Sequence, residues 1–218
     1  MLHMLGANFV VISTIVHFSK VLAFSRVVST VKALIWVIGA GIFLLSLGTA
    51  FTGYVVVSGN MSFWACLVIL NLLSVIPALG DEIVSGILAG GTVTSWAIKR
   101  FTVIHFLLGI LSFALIAIHL VLLHRTNPSK SASDVAGDGA ETLAVVLAKD
   151  AGIVLLVFAI LFADSVKTLV HPDNWGGFSR IVTPAHIEPE IYFLWTFSVI
   201  KLHNGKLCGV VFVSKLEF

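Results

Sequence analysis

Charged residues are scarce in this chain of 218 residues: only 11% are Asp, Glu, Lys or Arg, against about a quarter in ordinary soluble domains. Apolar residues make up 58%, and the mean hydropathy is +1.07. This composition excludes a soluble globular protein and indicates a polytopic membrane protein. The formal net charge of +2 is too small for a nucleic-acid-binding surface, so no nucleic-acid partner is expected.

Cysteine is also rare. The chain has only Cys66 and Cys208, which lie far apart in apolar surroundings and show no CxxC or CxxH spacing. This excludes a disulfide framework and a cysteine-based zinc site. Both residues are therefore expected to pack in the protein interior.

Apolar windows of about 20 residues predict four membrane spans and the start of a fifth. The spans are Leu5–Phe24, Ala33–Val57, Phe101–His124 and Ala151–Val170, with the fifth beginning near Leu207. Between the second and third spans, Pro77, Asp81, Glu82 and a glycine pair interrupt an apolar segment, which favours short interfacial helices over another crossing. The expected fold class is an all-α, polytopic membrane helix bundle.

Two of the predicted spans each carry two histidines, and the spacing is the same in both. These are His3 and His17 in the first span, and His105 and His119 in the third. At about 100° and 1.5 Å per residue, this spacing places both side chains on one helix face, roughly 21 Å apart. One returning span separates the two helices, so they run in the same direction, and His3 should meet His105 while His17 meets His119. Two facing imidazoles at each of two depths predict the ligation of a two-haem b-type cytochrome.

Other interpretations exist for the single residues. An isolated intramembrane histidine can be a hydrogen-bonded structural residue or part of a proton relay in a transporter, but two pairs of equal spacing favour haem. Gly39 and Gly53, on the second span, show the same spacing as the histidines. The absence of side chains there would let a flat macrocycle pack against the backbone, although ordinary small-residue helix packing also explains these glycines.

Three stretches resemble the cytochrome b subunit of the respiratory quinol:cytochrome c oxidoreductase, complex III. They are TAFTGYVVVSGNMSFWACLVILNLLSVIP, RFTVIHFLLGILSFALIAIHLVLLH and PAHIEPEIYFL, the last being a variant of the family's PEWY signature. The resemblance extends over almost the whole chain. The equal spacing of the two histidine pairs favours the mitochondrial and bacterial branch over the chloroplast relative.

The resemblance implies two haem b groups and their ligands. His3 and His105 would bind the low-potential haem on the positive side of the membrane, and His17 and His119 the high-potential haem on the negative side. Arg100 matches a basic residue near the low-potential haem, whose carboxylate groups require a cation.

The resemblance also implies two sites for ubiquinol and ubiquinone. Glu190 and Tyr192 match the quinol-oxidation site, whereas His124, Lys149 and Asp150 match the quinone-reduction site at the start of the fourth span. For the last two residues the alternatives are capping of that span by Asp150 and interfacial anchoring by Lys149.

The chain departs from the family pattern around the outer quinol pocket. The departures are Val57, Ser58, Asn60, Ala65, Ile191, Phe197 and Lys201. Ala65 replaces a glycine of the pocket wall, and Ile191 replaces the tryptophan of PEWY. None of the seven removes a haem ligand or Glu190, so we expect altered pocket details and inhibitor response rather than a different reaction.

The resemblance implies a function and its partners. One electron of each quinol would pass through both haems to a quinone on the negative side, and the other would pass to a Rieske iron-sulfur protein, with coupled proton translocation. A c-type cytochrome subunit, other complex III subunits, a second copy of the complex and lipids would be the further partners, in the mitochondrial inner membrane or, alternatively, a bacterial plasma membrane. The alternatives are a haem-free transporter or scaffold derived from this fold, and another two-haem membrane oxidoreductase.

Three regions follow from these expectations. Residues 1–124 would form the haem-binding transmembrane core, residues 125–150 a polar loop on the negative side, and residues 151–218 a further span, the PEWY-like loop and a truncated helix. The family has eight spans, whereas this chain begins just before the first ligand and ends within the sixth. We expect either a fragment or a subunit whose missing helices come from other polypeptides.

Overall fold

The structure, a computed structural model, describes residues 2–24, 29–125, 143–162, 171–177, 183–187, 189–194 and 197–198. These residues form six α-helices and two 3₁₀ turns, Pro172–Asn174 and Ile191–Phe193. No β-strand occurs in this part of the chain, where Gly59 and Gly177 form an isolated antiparallel bridge. Four features predicted or noted from the sequence lie outside the described residues. They are Lys201, Cys208, the fifth span from Leu207 and the end of the fourth span.

The six helices are α1 (Leu2–Phe24), α2 (Thr30–Val56), α3 (Asn60–Leu73), α4 (Gly80–Leu88), α5 (Ser95–Arg125) and α6 (Leu143–Phe162). Among the described residues, α1, α2 and α5 are long and apolar enough to cross a membrane. The prediction of an all-α, multi-pass membrane protein is therefore confirmed.

The segment between the second and third predicted spans forms two short helices, α3 and α4, as expected. At its start, α4 carries Asp81 and Glu82 in its first turn, where the partial positive charge of a helix N-terminus stabilises carboxylates. It ends at Leu88, and the following residue, Ala89, adopts a left-handed conformation with φ of 53°.

The start of the fourth predicted span was placed too late. Helix α6 begins at Leu143, well before Ala151, so the predicted polar loop 125–150 is too long at its C-terminal end. The reason is that Leu-Ala-Val-Val-Leu-Ala is a good helix-forming sequence, and an exposed Lys-Asp pair does not end a helix. Lys149 and Asp150 are therefore inside α6 and not at its start, and the capping alternative for Asp150 is wrong.

The chain divides into two compact units that do not follow chain order. Unit 1 comprises Met1–Leu44 and Ser112–Leu169, and unit 2 comprises Leu45–Leu111 and Val170–Phe218. Each unit therefore contains one part of α2 and one part of α5. In unit 1, α1 contacts α6, and the rings of Phe18 and Phe43 stack with centroids 4.7 Å apart.

The core of unit 2 is built from α2, α3, α4 and the start of α5. Its buried members are Val55, Phe63, Cys66, Leu70, Leu88, Val93, Ala97 and Phe101. Cys66 is fully buried in this core, which confirms it as a packing residue, and the burial raises the pKa of its thiol to about 12.

Helices α2 and α5 run antiparallel in unit 2. Gly48 of α2 faces Leu108 of α5, and Gly53, farther along α2, faces His105, which is earlier in α5. This direction agrees with the expectation that α2 is a returning helix.

Candidate functional site

His105 of α5 lies directly against Gly53 of α2 in unit 2. A β-carbon added at Gly53 would lie 2.7 Å from Cε1 of the imidazole, closer than β-carbons are found to approach other atoms. The ring Nδ1 is 2.9 Å from the carbonyl oxygen of Thr49. Because an Nδ1–H donated to a carbonyl leaves the lone pair on Nε2, this contact fits the use of Nε2 as a metal ligand.

His119 and Gly39 form a corresponding arrangement in unit 1. A β-carbon added at Gly39 would lie 3.1 Å from Cε1 of His119. The main chain of Ile35 interacts with this ring, but the buried Nδ1 of His119 makes no well-aligned hydrogen bond to the part of the chain that the structure describes. An unpaired polar atom of this kind suits a ring whose final orientation depends on a further bound group.

The two arrangements repeat one pattern along α2 and α5. On α2, the residue whose main chain interacts with the ring lies one helical turn before the glycine. This residue is Ile35 before Gly39, and Thr49 before Gly53. The glycine and histidine spacings were visible in the sequence, but the carbonyl partners were missed, because a backbone acceptor leaves no sequence signal. The structure also shows that each glycine lies against an imidazole ring, and the packing of a macrocycle at these glycines stays a prediction.

The histidines of α1 complete the predicted set. His17 lies in unit 1, as His119 does, and its charge acts on the His119 ring, but the pairing of these two rings stays a prediction. His3 and His17 both lie on the continuous helix α1 and have exposed side chains. The pairing of His3 with His105 stays a prediction from the spacing.

These histidines fit a haem better than a bare metal ion. Among the described residues, no group of three or more His, Cys, Asp or Glu side chains could hold an ion. A porphyrin supplies four of the six iron ligands, so two histidines for each iron suffice. The glycine at each ring leaves room for the imidazole without adding a competing side chain, and the Thr49 carbonyl orients the His105 ring.

An open apolar pocket lies in unit 2. Its lining includes Ala65 and Ile69 of α3, and Ile187, Pro189 and Phe193 of the C-terminal segment. Phe197 also lines the pocket. Two of the substitutions noted in the sequence, Ala65 and Phe197, therefore line the same apolar pocket.

An acidic and phenolic cluster lies close to this pocket. Burial raises the pKa of Glu190, so its carboxyl group stays protonated to a higher pH than an ordinary glutamate. Its charge also acts on Tyr54 and Tyr192, and burial followed by this charge raises the pKa of Tyr192. Tyr54 is buried against Met61 and Ala65. It was missed as a site residue, although a tyrosine directly after Gly53 in an apolar run signals a hydroxyl that needs a partner.

The N-terminus of α3 is held by the loop around Asn174. The Asn174 side-chain oxygen accepts a hydrogen bond of 3.0 Å from the Ser62 amide, and a β-carbon at Gly59 would overlap Asn174. Because α3 carries Ala65, this buried asparagine helps to fix the pocket wall. Sequence reasoning missed the contact, since it joins residues 112 positions apart.

Arg100 and the three residues that match the quinone-reduction site lie at exposed positions. The Arg100 guanidinium donates to the Gly86 carbonyl and so joins the start of α5 to α4. His124 lies in the last turn of α5, and Lys149 and Asp150 lie in α6, all with exposed side chains. The roles of these residues toward haem carboxylates and quinone stay predictions.

Comparisons with known proteins show the family to which the chain is similar. Residues 8–177 match the family model described as "Cytochrome b(N-terminal)/b6/petB", and residues 179–216 match "Cytochrome b(C-terminal)/b6/petD". Cytochrome b of Candida parapsilosis is 38% identical over 96% of this chain, and that of Rickettsia conorii (strain ATCC VR-613 / Malish 7) is 34% identical over 96%.

The chain spans about half the length of these curated relatives, 56% and 54% respectively. The fold is similar to a solved structure titled "Hyperthermophilic respiratory Complex III", with a TM-score of 0.81 over 99% of this chain and 59% of that one, at 24% identity. Since the first family model alone covers most of the sequence, the chain belongs to the cytochrome b family.

Proposed function

We propose that the chain is the redox subunit of a quinol:cytochrome c oxidoreductase, complex III, and passes electrons across the membrane. The observation that carries this proposal is the repeated arrangement of an imidazole against a glycine, at His105 and Gly53 and at His119 and Gly39. A haem-free transporter or scaffold has no need for two such arrangements at equal spacing.

The four histidines would hold two haem b groups, His3 with His105 and His17 with His119. When bound, these groups supply one-electron transfer. The protein positions the imidazoles through Gly53, Gly39 and the Thr49 carbonyl, and Arg100 would neutralise the carboxylates of the group held by His105.

Glu190 and Tyr192 would form the quinol-oxidation site beside the apolar pocket. A carboxyl group with a raised pKa is well matched to accept a proton from quinol near neutral pH and to release it afterwards. The pocket would admit the apolar ring and tail of ubiquinol, since its lining is apolar.

His124, Lys149 and Asp150 would form the quinone-reduction site. Their exposure supports this role, because a reduced quinone must gain protons that come from water. Placement of Lys149 and Asp150 within α6 means that a helix, not a flexible loop, would position them.

The partners would be those of complex III: a Rieske iron-sulfur protein, a c-type cytochrome subunit, further subunits, lipids and a second copy of the complex. The mitochondrial inner membrane is the proposed location, supported by yeast relatives such as that of Candida parapsilosis. The Rickettsia relative makes a bacterial plasma membrane the alternative.

Two measurements test the proposed function. A reduced-minus-oxidised difference spectrum of the purified protein in its native complex should show two b-type components, and quinol should reduce a c-type cytochrome. The variant His119→Leu should lose one b-type component, whereas Ile118→Leu, at an exposed neighbouring position, should keep both. Absence of b-type absorbance from the parent protein would favour the haem-free alternative, and haem without quinol-dependent cytochrome reduction would indicate another two-haem oxidoreductase.

A further inference from the structure

Thr52 distinguishes the two histidine arrangements from each other. Along α2, the residue just before Gly53 is Thr52, whereas the residue just before Gly39 is Ile38. Thr52 is buried, with 5% of its surface exposed. The repeated pattern therefore places a hydroxyl group at one arrangement and an apolar side chain at the equivalent position of the other.

The Thr52 hydroxyl is directed at the main chain and touches the His105 ring. Its oxygen donates to the carbonyl of Gly48 at 2.9 Å or of Thr49 at 3.0 Å, and it is 3.3 Å from Nδ1 of His105. A hydroxyl has one proton and two lone pairs, so a proton engaged with a carbonyl leaves a lone pair for the ring.

Within the described residues, two oxygen atoms thus lie within hydrogen-bonding distance of Nδ1–H of His105. The Thr49 carbonyl at 2.9 Å is the principal one, and the Thr52 hydroxyl oxygen at 3.3 Å is a weaker second one. Acceptors on Nδ1–H raise the basicity of an imidazole ligand and favour the more oxidised state of the metal that it binds. The buried Nδ1 of His119 has no well-aligned acceptor within the described residues, and Ile38 cannot provide one.

We propose that Thr52 is a positioning residue that lowers the reduction potential of the haem held by His105 relative to the haem held by His119. This inference rests on the proposed function, since it requires that the two histidines bind haem. It gives a structural reason for electrons to move from the His105 haem toward the His119 haem.

The test is a potentiometric titration of both b-type components in the intact complex. Thr52→Val keeps the side-chain shape but removes the hydroxyl group, and Thr52→Ser keeps the hydroxyl as a rescue control. In Thr52→Val we expect the ratio of reduced to oxidised His105 haem at fixed ambient potential to rise about threefold, or about 28 mV at 59 mV per decade. The His119 haem should be unchanged, and Thr52→Ser should titrate like the parent protein.

The converse variant keeps the proposal testable if Thr52→Val loses haem. Ile38→Thr should supply an acceptor at the equivalent position and lower the potential of the His119 haem. An unchanged or lowered potential of the His105 haem in Thr52→Val overturns the proposal. If Thr52→Val loses haem, an unchanged potential of the His119 haem in Ile38→Thr overturns it. A parent protein without b-type bands instead refutes the proposed function.

Discussion

Substitution of Gly53 by alanine should displace His105 and weaken haem binding at that histidine. The new β-carbon would lie 2.7 Å from Cε1, whereas carbon atoms in contact are separated by about 3.5 Å or more, so the ring must move by roughly 0.8 Å. At Gly39 the corresponding distance is 3.1 Å, and a movement of roughly 0.4 Å is enough. The two substitutions therefore add the same methyl group but displace the imidazole rings by different distances.

The energies can be compared for Gly53→Ala. Alanine gains about 1 kcal/mol over glycine in a helix interior, but overpacking costs about 1–3 kcal/mol. Displacement of the ring also weakens the 2.9 Å contact between Nδ1 and the Thr49 carbonyl, worth about 1 kcal/mol. The net cost is thus about 1–3 kcal/mol, and it falls on the arrangement that orients the ligand.

The assay is the content of each b-type component in difference spectra, together with the thermal stability of the complex. We expect Gly53→Ala to lose much of the His105 component and Gly39→Ala to keep more of the His119 component. Gly41→Ala is the matched control on α2, because a β-carbon there meets no atom within 4 Å. Full retention of both components in Gly53→Ala would refute the reasoning, and equal losses in Gly41→Ala would assign the effect to α2 in general.

Three further predictions concern the outer pocket. Quinol oxidation should slow as pH falls through the raised pKa of Glu190, because the carboxylate must be ionised to accept a proton. The slowing should begin above the usual glutamate pKa of about 4.3. The variant Glu190→Gln should abolish this acidic limb of the pH–rate profile. Ala65→Gly should lower the inhibition constant of methoxyacrylate-type inhibitors roughly 5- to 150-fold, since removing the Ala65 methyl group from the pocket wall relieves an overpacking cost of about 1–3 kcal/mol. Equal inhibition constants for the two proteins would show that Ala65 does not limit binding. Asn174→Leu should raise the KM for quinol, whereas Asn174→Asp, which keeps an oxygen acceptor for the Ser62 amide, should have the KM of the parent protein. A raised KM in Asn174→Asp would contradict a positioning role for Asn174.

The helices were largely predictable because hydropathy reports membrane burial directly. The spans around α1, α2 and α5 follow from uninterrupted apolar runs, and the broken run before α5 correctly indicated short helices. The start of α6 differs from the prediction because the polar residues Lys149 and Asp150 resemble a loop in sequence, whereas the apolar residues before them already form the helix. Local charge is thus a weaker signal of a helix end than a glycine or proline would be.

The site was predictable only in part. Histidine and glycine spacing could be read because a helix converts sequence distance into position on one face. The Thr49 carbonyl and the contact between Asn174 and Ser62 depend on backbone groups and on residues distant in sequence, which no periodic pattern encodes. The role of Tyr54 near Glu190 likewise needed the fold, since it brings α2 close to a segment much later in the chain.

The His105 arrangement and the Glu190 cluster share one short stretch of α2, from Thr49 to Tyr54. Gly53 accommodates the imidazole ring, and the next residue, Tyr54, lies within the electrostatic reach of Glu190. A shift of α2 that relieves the methyl group of Gly53→Ala must therefore move Tyr54 as well. Gly53→Ala should change the pH dependence of quinol oxidation in addition to haem content, whereas Gly39→Ala, in unit 1, should leave that pH dependence unaltered. A changed haem content with an unaltered pH profile in Gly53→Ala would show that the ring alone moves and that α2 does not link the two groups.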